Sequence, residues 1–61
     1  MITYVIKSGP FYLTTTGTFS RNVYEAKFYA NKDTAEGAMR ELQKNILGIL
    51  SVVEVRMAET L

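Results

Sequence analysis

Residues 2–7 alternate, with Ile2, Tyr4 and Ile6 on one side and Thr3, Val5 and Lys7 on the other. A two-residue period rich in β-branched side chains predicts a strand with one face turned to a core. Ser8-Gly9-Pro10 follows, where glycine tolerates unusual φ and proline fixes its own, so a turn is predicted. Phe11 to Thr16 alternates again, Phe11, Leu13 and Thr15 against Tyr12, Thr14 and Thr16. The short connection makes the two strands a hairpin. Gly17 to Asn22 reads as a loop. Val23 to Ala30 then reads as a third strand, with Tyr24, Ala26 and Phe28 opposite Val23, Glu25, Lys27 and Tyr29. The charged pair marks the second set as the wet side.

The period changes after Ala30. Ala35, Ala38, Met39, Leu42 and Ile46 recur at the spacing of one helical face, which predicts a helix over about 32–47. Asn31 or Asp33 can cap its start, and Glu36 can pair with Arg40 one turn on. Gly48 reads as the stop. Gly37 lies inside this helix, where glycine costs about 1 kcal/mol relative to alanine. Tolerance at an exposed position is the commoner reason; close approach of another backbone is the other. Ser51 to Met57 alternates once more and predicts a last strand, Val53 and Val55 against Val52, Glu54 and Arg56, and residues 58–61 are expected to fray.

The order is β-β-β-α-β over residues 1–61, a single α+β domain with one helix on one face of a small antiparallel meander sheet of three to four strands. The last strand can lie beside the first or the third. The face expected under the helix collects Ile2, Tyr4, Ile6, Phe11, Leu13, Tyr24, Ala26, Phe28, Val53 and Val55. The face expected to stay open carries Tyr12, Tyr29, Val5 and Val52, with Lys7, Lys27, Glu25, Glu54 and Arg56 among them. An antiparallel sheet can leave such a face wet. Tyrosine and arginine are also the residues that bind proteins well, combining contact area with a polar handle. Tyr12, Tyr29, Val5, Val52, Lys27, Arg56 and the loop residue Arg21 are therefore the candidate partner contacts. Phe19, in the same loop as Arg21, is either a lid folded onto the core or an exposed anchor.

Size sharpens the partner argument. A chain of 61 residues buries only about 60% of the surface its unfolded form exposes, and proteins of this length commonly lean on disulfides, a metal or a second subunit. Cysteine and histidine are both absent, so disulfides, thiolate or imidazole metal sites and a histidine base are excluded. An idealised core or a partner subunit remains, and the second is the expectation: a homodimer through the open sheet face or along a sheet edge. No apolar run approaches the length of a membrane span, and the start lacks the features of a secretory signal, so a cytoplasmic protein without membrane partners is expected.

Catalysis is not expected. No phosphate-binding glycine loop or nucleophile elbow is present, no cofactor is implied, and the six carboxylates are spread over outer faces and caps. Single-stranded nucleic acid is a weaker alternative partner. Tyr12 and Tyr29 could form a stacking platform flanked by Lys7, Lys27 and Arg56, but Glu25 and Glu54 share that face and the net charge is only +1. The same near-neutral balance excludes imitation of DNA by a dense acidic surface.

The segments Tyr4-Val5-Ile6-Lys7 through Leu13, Gly17-Thr18-Phe19, Glu25 to Tyr29, Asn31 to Ala38 and Val52-Val53-Glu54-Val55 resemble small phage and prophage proteins of Gram-positive bacteria. The resemblance spans nearly the whole chain and rests on core and turn positions. It implies a non-enzymatic inhibitor that occludes a bacterial host or defence protein, such as a CRISPR nuclease or a polymerase. It carries over no catalytic residue, and it places Phe19 in a shared loop, which favours the lid.

Overall fold

A computed structural model describes residues 2–56. Four strands form one antiparallel sheet: β1 (Ile2–Ser8), β2 (Phe11–Leu13), β3 (Phe19–Ser20) and β4 (Ser51–Arg56), in the order β3-β2-β1-β4. One helix, α1 (Lys32–Gln43), lies between β3 and β4 in the chain and packs on β1 and β4. The last strand thus lies beside the first. The α+β class and the β-β-β-α-β order are those the hydrophobic pattern predicts.

The β1–β2 turn is tight because Gly9 takes φ +59°, a conformation that costs other residues strain. Gly17, at φ +85°, does the same in the β2–β3 hairpin. There Thr14, Thr16 and Thr18 share hydroxyl hydrogen bonds of 2.8–3.2 Å, and Thr18 N–H donates to Thr14 Oγ1. The buried Thr14 hydroxyl is thereby satisfied inside the turn.

The third strand differs most from the expectation. Its pairing partner for β2 is Phe19–Ser20, inside the segment read as a loop, while Val23–Glu25 forms a 3-10 turn capped by Asn22 Oδ1. Residues 26–29 then run between β1 and β2. Ala26 pairs with Thr14, Lys27 N–H donates to the Leu13 carbonyl, and Tyr29 exchanges two 2.8 Å backbone bonds with Tyr4. The 3-10 turn breaks the alternation at Glu25, so the expected phase does not carry through.

The core follows from this wedge. Ile6, Leu13, Tyr29, Ala35 and Leu50 are buried together, with Tyr4, Phe19, Ala38, Met39, Leu42, Ile46 and Val52 packed around them. The helical face is the expected one, and Phe19 is the lid. Several sheet assignments are reversed. Tyr29 belongs to the core and not to the open face, because the Tyr4–Tyr29 bridge turns both rings toward α1. Val52 lies under α1 while Val53 and Val55 turn to the open side, because Leu50 sets the phase of β4. Tyr24, expected inside, is 90% exposed on the 3-10 turn, and Ala26 is buried on the open side, paired with Thr14. Phe11 and Ile2 keep the helix-side phase but lie at strand ends and stay exposed.

At its start the helix has Asn31 in the capping position without a side-chain bond, and Glu36 lies 3.9 Å from Lys32. An added Cβ at Gly37 would meet nothing within 4 Å, so no close approach within this chain requires the glycine. Helix α1 ends at Gln43, four residues before its expected end at 47, as Asn45 and Ile46 turn back with i→i−3 bonds. The expected strand position Met57 and the tail 58–61 lie outside the described residues.

Candidate functional site

The early end of α1 produces the most distinctive surface among the described residues. Four large aliphatics stand in five positions, Ile46, Leu47, Ile49 and Leu50, interrupted by Gly48. Ile46 and Leu50 turn inward and join the core. Leu47 and Ile49 point outward and are 107% and 87% exposed.

The loop that carries them is fixed by one side chain. The Gln43 amide Nε2 donates to the carbonyls of Ile46 (3.2 Å) and Gly48, and its Oε1 accepts from Leu50 N–H at 3.0 Å. A primary amide offers two donors and an acceptor in one plane, which is what this chain reversal needs. Ile46 and Leu50 anchor the loop's ends beneath the helix, so the two outward residues sit on a doubly held segment. Gly48 packs close to Ser8 at the β1–β2 turn, where an added Cβ would come 3.5 Å from the Ser8 hydroxyl. The exposed Phe11 follows that turn, with the Arg21 guanidinium 5.4 Å over its ring.

A second feature is a shallow groove of about 460 Å³ on the helix side of the sheet. Ala38, Glu41, Leu42 and Asn45 of the helix and its C-terminal turn form one wall, and Leu13, Thr14, Thr15, Gly17, Lys27 and Tyr29 the other. Lys27 Nζ sits 5.2 Å over the Tyr29 ring. The groove carries one cation and one carboxylate at its rim. Among the described residues, no group of three or more carboxylates stands together to hold a metal, and no helix is long and apolar enough to cross a membrane.

The residues singled out from the sequence do not form one patch. Tyr12 lies on the open face, with Lys7 Nζ 4.8 Å over its ring and opposite it in the β1–β2 register. Val5 shares that face but is 0% exposed, so no partner can touch it there. Tyr29 and Lys27 are on the helix side, and Val52 is beneath the helix. Arg56 lies at the far end of β4, 3.4 Å from Glu54, and Arg21 covers Phe11. Tyr12 and Tyr29 thus point to opposite sides of the sheet and do not assemble a stacking platform.

Gln43, Leu47 and Ile49 are the residues that sequence reasoning passed over. A signal was present: Leu47 falls about a third of a turn off the face defined by Ala35, Ala38, Met39, Leu42 and Ile46. No protein-family model matches the chain, and no curated protein or solved structure shows significant similarity to it.

Proposed function

We propose that this chain is a non-enzymatic protein-binding module that inserts the 44–50 loop into an apolar pocket of its partner. The observation that carries this reading is the near-complete exposure of Leu47 and Ile49 on a segment held by Gln43. Single exposed aliphatics are ordinary on protein surfaces. Two on a pre-ordered loop are different, because the entropy of ordering is met before the partner arrives. Burying each is worth about 1.5–3 kcal/mol, so the pair can supply a factor of about a hundred or more in affinity.

The likeness to small phage proteins supports a bacterial host or defence protein as the partner, and steric occlusion as the mode. Association through an aliphatic loop fits that mode, since it needs no chemistry at the interface. The test is capture from nuclease-treated bacterial lysate with tagged wild-type protein and with the double variant Leu47→Glu, Ile49→Glu. A stoichiometric protein held by the wild type and released by the variant is the expected result. Equal retention by both would remove the loop from the interface. Recovery that disappears with nuclease would replace the protein partner with nucleic acid.

A further inference from the structure

The two edges of the sheet are unequal. Edge strand β3 is two residues long and closes into the threonine turn. Edge strand β4 runs for six residues without proline or glycine. Its outward backbone groups can be identified. Tyr4 N–H and C=O both bond Tyr29, so the alternation of an antiparallel ladder directs Thr3, Val5 and Lys7 toward β4. Their register partners Val55, Val53 and Ser51 therefore spend their backbone groups on β1, consistent with the Thr3 hydroxyl donating to the Val55 carbonyl. Val52, Glu54 and Arg56 point theirs away from the sheet, and no described residue pairs with them. Proteins ordinarily blunt an edge of this length.

We infer that the end of β4, residues 54–56, pairs antiparallel with the same residues of a second copy about a two-fold axis at Val55, joining two sheets into one of eight strands. The occupant and the register follow from charge. A two-fold axis perpendicular to the sheet keeps each face on its own side, so opposed residues must share a face. Centring the axis on Glu54 sets that carboxylate against its own copy, which is unfavourable. Centring on Val53 sets Glu54 against Val52. Centring on Val55 sets Glu54 opposite Arg56 twice, extending the Glu54–Arg56 contact already 3.4 Å within each strand into an alternating four-charge ring. It also joins the outward backbone groups of Glu54 and Arg56 as hydrogen-bonded pairs and leaves Val55 facing its own copy across the narrow, non-bonded spacing of about 4.5 Å between Cα atoms.

Cross-linking reads the register directly, because the chain has no cysteine of its own. Opposed Cα atoms in the non-bonded pair fall within disulfide range. Full-length Val55→Cys is expected to oxidise rapidly to a covalent dimer, and Val53→Cys much more slowly. Light scattering should give a dimer for the wild type and a monomer for Glu54→Arg and for Arg56→Glu. The double exchange Glu54→Arg, Arg56→Glu should restore the dimer, which separates charge pairing from misfolding of a single variant. A monomeric wild type, faster cross-linking at position 53, or a double exchange that stays monomeric while its circular dichroism is native would each overturn the assignment.

Discussion

Gln43→Ala isolates the element on which the proposed binding loop depends. The substitution removes three hydrogen bonds, to Ile46 O, Gly48 O and Leu50 N. They are not equivalent. The Gly48 carbonyl is exposed and can turn to water, so its loss costs little. Leu50 is in the core, and its amide proton is left without a partner, which costs about 1–3 kcal/mol. Adding a part-buried Ile46 bond at about 1 kcal/mol gives a total near 2–4 kcal/mol. Total stability for a chain of this length is about 3–9 kcal/mol, so the loss is a large share, equivalent to a fall in Tm of about 10–30 °C. Urea unfolding followed by circular dichroism, at one protein concentration for all variants, measures it. Hydrogen exchange at the Leu50 amide should rise more than the global change accounts for. A loss below about 0.5 kcal/mol, within the range of ordinary surface substitutions, would refute the idea that Gln43 holds the loop. Gln43→Glu adds a sign test. Its carboxylate can still accept from Leu50 N–H but sets negative charge against the Ile46 and Gly48 carbonyls. Protonation restores one donor, so the folded-state pKa lies above the unfolded value of about 4.3. Stability relative to wild type is then best below that value and is lost as pH rises through the folded pKa.

Gly37→Ala should stabilise by about 0.5–1 kcal/mol in the same unfolding assay, since a Cβ there meets nothing and the unfolded chain loses freedom; a destabilised variant would reveal a close neighbour at that surface. Phe19→Ala should cost about 2–4 kcal/mol, because the ring packs on Leu13 and the core from the short edge strand. A change under about 1 kcal/mol would mean that the ring is a surface anchor after all. Thr14→Val keeps the shape and loses the hydroxyl that bonds Thr16, Thr18 and the Thr18 amide; about 1–2 kcal/mol is expected, with the loss visible as faster exchange of the Thr18 amide.

Periodicity revealed the fold where a segment had one apolar face. The helix face from Ala35 to Ile46 was readable because polar residues surround it, and in β1 Thr3 and Lys7 mark the phase opposite Tyr4 and Ile6 even though Val5 between them is apolar. It misled where both phases are apolar. In β4, Val53 and Val55 outnumber Val52, yet Leu50 one period earlier fixes the strand the other way. In residues 23–29 the alternation of Glu25 and Lys27 with Ala26 and Phe28 looked like a strand, but a capped 3-10 turn resets it and sends Tyr29 inward. The loop behind the proposed function was hidden for a different reason. Its shape depends on a tertiary bond from Gln43 to Leu50, seven residues apart, and glutamine has no positional signature comparable to glycine or proline in a turn.

The two proposed surfaces lie at different places on the chain, and their geometry links them. The loop precedes β4, and an antiparallel pair about Val55 sends the two loops to opposite ends of the joined strand. From Ile49 to its copy is twelve strand positions, or about 40 Å at 3.4 Å per residue. A dimer would thus present Leu47 and Ile49 at two separated points, unable to engage one pocket but able to bridge two partner molecules. Glu54→Arg tests this coupling because it alters the β4 edge and leaves Gln43, Leu47 and Ile49 untouched. Its affinity for a single soluble partner should match wild type, while its retention on a surface dense in partner should fall by about 10²-fold or more as the second site is lost. Leu47→Glu with Ile49→Glu should lose both readouts and remain dimeric. Equal loss of soluble affinity in Glu54→Arg would show instead that the edge of β4 is itself the partner's seat, and that one strand cannot serve both a copy and a target.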